Sequence, residues 1–300
     1  MTNIEEQRFI RVGGVEQWVQ IRGANRDNPV LLVLHGGPGS PYALFTPLLR
    51  SWEEHYTVVQ WDRRGAGKTL RRNGREGCGE MSFEQCVQDA VEVVEFLRGH
   101  LDKDKVVLLA GSMGTMVGTP LVQRRPDLFE AYVATDLYVD MVANEAESYR
   151  LVLAKNPKAA KALAAIGPDP TAWDLKAWEV KMRWSMDNAV LGKLFLPLVL
   201  GRAVYGWRDL RHVAAGFGYS KKALFHDFMG FRAKPDFEVP VVILQGADDE
   251  VTVRSLAEDY FARVSAPSKR MALIQDAGHF AAFTQPDRFL AAMLGEVERP

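Results

Sequence analysis

The first half of the chain changes from alternating to continuous hydrophobic patterning. Residues 8–12 and 16–22 alternate apolar and polar positions around a glycine pair, which predicts an antiparallel hairpin at the start of a sheet. Residues 30–34, 57–61 and 106–110 are short, nearly continuous apolar runs rich in Val and Leu. Such runs are typical of parallel strands that are buried on both faces.

A long helix is predicted between the last two of these runs. The hydroxyl of Ser82 can cap its first turn, and Gln85 occupies the capping-box position three residues later. Apolar side chains then follow at helical spacing, at Val87, Val91, Val94 and Leu97. The resulting order of strand, helix and strand is that of a parallel α/β sheet.

The alternation stops after another predicted strand at residues 131–135. Residues 140–235 show helical periodicity without strand-like runs, and the strand pattern returns at 239–245 and 270–275. Each of these last two strands precedes a predicted helix, at 253–264 and 286–297.

These elements predict an α/β fold in which one sheet is built from two parts of the chain. We expect a mostly parallel eight-stranded sheet with helices on both faces. Residues 1–139 and 236–300 would form this core, and residues 140–235 would form an inserted helical cap.

Composition excludes several classes of partner and cofactor. The chain has 300 residues, 47% of them hydrophobic, and a formal net charge of -1 without long charge runs, so no nucleic acid or membrane partner is expected. Its polar, acidic start does not resemble a signal peptide, which predicts a soluble, cytoplasmic protein. Cys78 and Cys86 have neither disulfide-framework nor zinc-site spacing, and no Walker or complete dinucleotide-binding motif occurs. We therefore expect no metal and no cofactor.

Ser112 is the candidate nucleophile. It lies at the centre of residues 110–114, Ala-Gly-Ser-Met-Gly, between a predicted buried strand and a predicted helix. This is the context of a nucleophile elbow, in which the residues two before and two after the serine must be small. Ala110 departs from the usual glycine, and the alternative is that Ser112 merely caps the following helix.

An acid and a base follow later strands in the order that a Ser-acid-His triad of this fold requires. Asp248 and Asp249 end one predicted strand, and either could orient an imidazole. His279 follows the last predicted strand, so it should emerge at the same sheet edge as Ser112. Asp136, after the strand at 131–135, is another acid at this edge, and we expect a structural role for it.

A glycine-rich loop follows the strand at 30–34. Its sequence, His-Gly-Gly-Pro-Gly at 35–39, lets backbone N–H groups approach a substrate oxygen. We expect the N–H groups of Gly37 and Met113 to form an oxyanion hole and His35 to support the loop. The alternative is an ordinary Gly-Pro turn.

Together these motifs resemble the proline iminopeptidase family. The resemblance rests on residues 35–39, 61–69, 111–114, 246–252 and 277–280, which read HGGPG, WDRRGAGKT, GSMG, GADDEVT and AGHF. It implies an α/β-hydrolase core, a helical cap inserted after the sixth strand, and removal of N-terminal proline from peptides. The family register also implies that the acid is Asp249.

The resemblance further implies that cap carboxylates hold the free amine of the substrate. Glu179, which follows Trp178, is the first candidate, and Glu145 and Glu147 are held in reserve. A peptide ammonium in a partly dry pocket needs such an anionic partner, but each Glu could instead be a solvated helix-face charge. Four of the seven tryptophans lie in the cap and could provide an apolar floor or pack the cap on the core: Trp173, Trp178, Trp184 and Trp207.

The expected reaction is attack by Ser112 on a carbonyl as His279 takes its proton, followed by hydrolysis of an acyl-enzyme. The first interpretation is an aminopeptidase that releases N-terminal proline. A carboxylesterase or lactonase is the alternative, because the same triad serves any acyl group. A noncatalytic ligand receptor on a hydrolase core is a third hypothesis.

Overall fold

The computed structural model describes residues 2–186, 188–201 and 204–295. Within these residues, eight strands form one sheet. They are β1 Ile4–Val12, β2 Val15–Gly23, β3 Val30–Leu34, β4 Thr57–Asp62, β5 Val106–Gly111, β6 Phe129–Thr135, β7 Val241–Gly246 and β8 Lys269–Ile274. Their order across the sheet is β1-β2-β4-β3-β5-β6-β7-β8. Strand β2 pairs antiparallel with β1 and β4, and every other pairing is parallel. The predicted hairpin and mostly parallel sheet are confirmed.

Alternate residues of the buried strands face opposite layers of the core. In β3, Leu32 and Leu34 belong to one hydrophobic cluster, whereas Leu31 and Val33 belong to the other. Because both faces are covered, each position along the strand is apolar.

Eleven α-helices occur in the described part of the chain. They are α1 Gly67–Asn73, α2 Phe83–Leu101, α3 Thr115–Arg124, α4 Met141–Lys155, α5 Ala160–Ile166, α6 Leu175–Ser185, α7 Asn188–Gly201, α8 Trp207–Met229, α9 Arg254–Arg263, α10 Ala281–Thr284 and α11 Pro286–Leu294. Residues of α2, α3 and α9 pack on one face of the sheet, and residues of α11 pack on the other. Of these described helices, none has the length and apolar character needed to cross a bilayer.

The helix starting after Ser82 has the predicted cap but only half of the predicted capping box. The Ser82 hydroxyl accepts a hydrogen bond from the Gln85 N–H at 3.1 Å. The Gln85 side-chain amide is instead engaged with the buried carboxylate of Asp89, to which it donates at 2.9 Å. Cys86, on the same helix, and Cys78 are free and buried.

Two predicted boundaries differ from the structure for local reasons. Strand β7 begins at Val241 rather than at residue 239, because Pro240 has no N–H to donate to a sheet ladder. The last helix ends at Leu294, where Gly295 adopts a left-handed conformation with φ 87°. The predicted extension to residue 297 lies outside the described residues.

Helices α4 to α8 lie between β6 and β7 in the chain, and the two ends of this helical segment are joined. The Met141 N–H donates to the Phe231 carbonyl at 3.1 Å, and the Ala233 N–H donates to the Val139 carbonyl at 2.7 Å. The chain therefore leaves and rejoins the sheet at one place. The division into a core and a cap at residues 140 and 235 stays a prediction.

Candidate active site

Ser112 lies in a strained turn directly after β5. Its φ of 54° is in the left-handed region, which a serine adopts only when its surroundings impose it. A Cβ on Gly114 would lie 2.3 Å from the Leu34 carbonyl oxygen, so this position accepts only glycine. The predicted strand, turn and helix around Ser112 are therefore present.

Ala110, the departure from the usual elbow pattern, is accommodated by a second glycine. A Cβ on Gly118 in α3 would lie only 2.8 Å from the Ala110 Cβ. The helix therefore has no side chain at Gly118, and this leaves the space that the methyl group of Ala110 needs. Reading the helix after Ser112 for a glycine would have found this compensation in the sequence.

The loops after β7 and β8 approach each other closely. A Cβ on Gly246 would lie 2.3 Å from the Gly278 carbonyl oxygen, so glycine is required there too. The carboxylate of Asp249 accepts backbone hydrogen bonds from Val251 at 2.8 Å and from Thr252 at 3.0 Å. These hydrogen bonds orient the Asp249 carboxylate independently of its contact with the imidazole.

Ser112, His279 and Asp249 form one continuous chain of hydrogen bonds. His279 Nδ1 lies 3.0 Å from Asp249 Oδ2, and His279 Nε2 lies 3.1 Å from Ser112 Oγ. Asp249 is buried, whereas Asp248 is exposed. Of the two acids that the residue pattern left open, Asp249 is therefore the one beside the imidazole.

Two carboxylates influence the charge of His279. Burial lowers the pKa of this imidazole, but the charges of Asp249 and Asp136 outweigh burial and raise it to about 9. An imidazolium formed during proton transfer is therefore stabilised here.

His35 has a different environment from His279. Burial and the Arg63 guanidinium hold the pKa of His35 well below its usual value, so the ring is neutral. Its Nδ1–H donates to the Gly36 carbonyl at 2.8 Å, and Nε2 accepts from the Arg63 N–H at 3.4 Å. The ring is engaged in holding the glycine-rich loop, as expected.

The glycine-rich loop packs directly on the elbow. A Cβ on Gly36 would lie 2.8 Å from both the Gly111 carbonyl oxygen and the Ser112 Cβ. Gly37 has a φ of 116°, and it lines the same cavity as Ser112 and Met113. This arrangement suits two backbone donors at a developing oxyanion.

A cavity of about 450 Å³ opens above Ser112 and His279. Its wall comes from the strand-end loops and from cap helices α6, α7 and α8, and it is mostly apolar. The larger apolar residues in the wall are Leu44, Phe45, Trp178, Met182, Phe195 and Phe217. Its charged residues are Glu179, Arg183 and Lys221.

The three candidate cap carboxylates lie in different environments. Glu179 lines the cavity, with its side chain 40% exposed, and forms an ion pair with Lys221. Glu145 is fully buried and pairs with Lys181 at 2.5 Å, so it is not the solvated charge that the alternative expected. Glu147 pairs with Arg150 near the surface. Within the described chain, neither Glu145 nor Glu147 lines the cavity.

The four cap tryptophans also separate. Trp178 is buried and lines the cavity, whereas Trp173 and Trp184 pack in a separate small cluster within the cap. Trp207 is 61% exposed. The cavity therefore has one tryptophan of the expected apolar floor, and the other three lie elsewhere.

Sequence reasoning missed two cap residues that hold the acid loop. Asn144 on α4 donates to the Val251 carbonyl at 2.8 Å and accepts from the Val253 N–H at 2.9 Å. Ser148, one turn later, donates to the Glu250 carbonyl at 2.6 Å. Their spacing of four residues on one helix face was the available signal.

Comparison with known proteins places this geometry in context. A model of the alpha/beta hydrolase fold matches residues 29–286. A probable aminopeptidase of Bacillus subtilis (strain 168) is 27% identical over 304 residues, which cover 96% of this chain and 94% of that protein. A proline iminopeptidase of Lactobacillus delbrueckii subsp. bulgaricus is 24% identical over 279 residues, with 91% of each chain covered.

Solved structures share the fold at lower identity. A proline iminopeptidase-related protein of Thermus thermophilus aligns with a TM-score of 0.65 and 22% identity, over 98% of this chain and 97% of that chain. The proline iminopeptidase of Mycobacterium smegmatis aligns with a TM-score of 0.66 and 17% identity, over 97% of each chain. At these identities the likeness shows the fold alone.

Proposed function

Because the chain belongs to the alpha/beta hydrolase fold family and is a hydrolase, we propose that it is a serine aminopeptidase that releases N-terminal proline. The observation on which this rests is the hydrogen-bonded series Ser112, His279 and Asp249, of which Ser112 and His279 line the cavity. The aminopeptidase and proline iminopeptidase names of its relatives support the choice of substrate.

The proposed reaction has two half-reactions that use the same base. Ser112 Oγ attacks the carbonyl carbon while His279 Nε2 takes the hydroxyl proton, and Asp249 holds the Nδ1–H. The backbone N–H groups of Gly37 and Met113 bind the oxyanion. The imidazolium then gives its proton to the leaving amine, and the C–N bond breaks to leave an acyl-Ser112 ester.

Hydrolysis of the ester reverses these roles. His279 takes a proton from a water molecule that attacks the ester carbonyl, and the imidazolium then returns a proton to Ser112 Oγ. Free acid leaves, and the hydroxyl is regenerated. Each half-reaction therefore passes through an imidazolium beside the Asp249 carboxylate.

Two residues of the cavity wall support the proposal that the substrate carries a small cyclic residue with a free amine. Trp178 gives an aromatic surface on which a proline ring can pack. Glu179, in the next position, provides a carboxylate in the same wall, and an ammonium group is its natural partner. These two residues are our proposed substrate contacts. Glu145 and Glu147 are not retained as anchors, because neither is among the described residues that line the cavity.

One observation favours a second candidate, a carboxylesterase or lactonase. Glu179 is already paired with Lys221, and Arg183 is a further cation in the wall. The charged residues of the cavity therefore sum to a positive charge, which would repel a substrate ammonium unless the ion pair opens. An uncharged ester or lactone does not meet this obstacle.

Matched substrates separate the candidates. Proline and alanine p-nitroanilides, their N-blocked versions and p-nitrophenyl esters would be compared by kcat/KM, with Ser112→Ala as the blank. Preference for free-amine proline supports the aminopeptidase. Ester turnover that does not depend on an amine supports the second candidate, and an acylation burst without turnover indicates a noncatalytic receptor.

A further inference from the structure

Asp136 is a buried carboxylate beside the proposed triad. It follows β6 directly, is 1% exposed and has a φ of 48°, in the left-handed region that few residues other than Gly, Asn and Asp adopt. Its Oδ1 has no hydrogen-bond partner among the described residues. A buried carboxylate with an unpartnered oxygen is costly, so a structural role alone explains it poorly.

The surroundings of Asp136 connect it to the base. One side-chain atom of Asp136, one of Asp249 and one of His279 all lie within 4.8 Å of one another. The backbone N–H groups of Phe280 and Ala281, the two residues after His279, stabilise the ionised form of Asp136. Asp136 thus lies beside the loop that presents the imidazole and also acts on the charge of the imidazole.

We propose that Asp136 is a positioning residue that acts through His279, holding the base loop in place and stabilising the imidazolium together with Asp249. This role rests on the proposed function, because it requires His279 to receive the proton of Ser112. Asp136 is not among the described residues that line the cavity, so we propose no contact between it and the substrate. Its contribution is to the geometry and charge of the base.

Other charged groups around the imidazole also raise or lower the pKa of His279. Asp249 favours its charged form, and Lys181 opposes it. The phenols of Tyr42 and Tyr138 also interact with Asp136 and Asp249, but burial raises the pKa of both phenols, so both are neutral. Asp136 is thus the second anion acting on His279.

The pH dependence follows from these charges. Burial raises the pKa of Asp136, and the charge of His279 opposes this rise. The Asp136 charge in turn raises the pKa of His279. Since the base must be neutral to accept a proton, activity rises with pH through this pKa. Removing the charge of Asp136 should therefore move the acid limb of the profile to lower pH.

The test measures the reactivity of Ser112 without assuming a substrate. The rate of labelling by a fluorophosphonate would be followed from pH 5 to 10 in the wild-type protein, Asp136→Asn and Asp136→Gly. Both substitutions suit the left-handed backbone, so circular dichroism would select a variant that folds. The control is Asp62→Asn, another buried strand-end carboxylate, which interacts with Tyr205 and Lys68.

The expected result is an acid limb that moves down by about 0.5 pH unit or more in the Asp136 variant and stays in place in Asp62→Asn. In an Asp249→Asn background, Asp136→Asn should lower the labelling rate by a further ~10-fold. An unchanged limb in a folded Asp136 variant would overturn the role of Asp136. Labelling that is equal in Ser112→Ala would instead overturn the proposed function.

Discussion

The two walls of the cavity are built in different ways. At the sheet edge, backbone constraints hold the proposed reacting groups in place: the strained φ of Ser112, the close approach at Gly246 and the backbone hydrogen bonds to Asp249. On the cap, the charged groups are side chains of helices, and Glu179 and Lys221 are oriented by their own ion pair. In the proposed enzyme, main-chain geometry therefore sets the chemistry, whereas substrate choice depends on side chains that substitution changes easily.

The sharpest test of the sheet-edge wall is Ser112→Ala. Turnover should fall by about 10⁴-fold or more, because no other hydroxyl is hydrogen-bonded to His279 Nε2 in the described chain. Initial rates with the best substrate of the panel measure this loss. Ser40→Ala, in the same cavity wall, is the matched control and should stay within a few-fold of wild type. Equal loss in both variants would contradict the assignment of the nucleophile.

Adjacent acids allow a second test of the same wall. Asp249→Asn should lower kcat by ~10³-fold to 10⁴-fold, because an amide cannot hold the Nδ1–H tautomer of His279 as a carboxylate does. Asp248→Asn should change kcat less than about twofold, because Asp248 is exposed. Stopped assays with enzyme in excess would detect the residual rate. The comparison fails if Asp248→Asn is the more damaged variant.

The buried ion pair of Glu145 and Lys181 joins α4 to α6 on the cap side, and its loss should affect stability before chemistry. Lys181→Met leaves the Glu145 charge uncompensated in a site where both side chains are 0% exposed. Such a loss costs about 3–5 kcal/mol of unfolding free energy, which urea denaturation measures. Adding Glu145→Leu removes the orphaned charge and should restore much of the stability. A double variant no more stable than Lys181→Met would show that the pair is not the cause.

The smallest effects are expected on the cap wall, and they differ in sign. For a free-amine substrate, Glu179→Gln should raise KM by ~10-fold, whereas Lys221→Met should lower KM by freeing the Glu179 carboxylate. Both variants should leave kcat for a neutral ester nearly unchanged. Michaelis–Menten curves for the two substrate types measure this. If both variants change KM in the same direction, the ion pair does not control amine binding.

Most of the fold and the sheet-edge part of the site could be predicted from sequence because their signals are local. Apolar runs mark the strands, and parallel strands end at one edge, so Ser112, the two acids and His279 could be placed there without coordinates. Pro240 should have moved the predicted start of β7, since its missing N–H is visible in the sequence.

The cap part of the site depends on contacts between distant residues. Glu145 and Lys181 are on different helices, and nothing in either local pattern shows that they meet in a buried pair. The same holds for the contact of Asn144 with the acid loop and for Asp136, whose sequence position gave no sign of an unpartnered oxygen. Side-chain partners of this kind become known only when the helices are packed.

The hydrogen bonds from Asn144 and Ser148 to the acid loop have a consequence for protein engineering. A chimaera that takes its whole cap from a relative would also replace Asn144 and Ser148, which hold the loop of Asp249. A change in substrate specificity could then not be distinguished from the effect of a displaced Asp249 carboxylate. Crossover points placed after Ser148 and near the end of α8 would keep that support while exchanging α5, α6, α7 and most of α8, provided that Lys181 is kept as the partner of Glu145. The recombinable unit is therefore smaller than the inserted segment, and libraries built on it would sample substrates without displacing the proposed acid, Asp249.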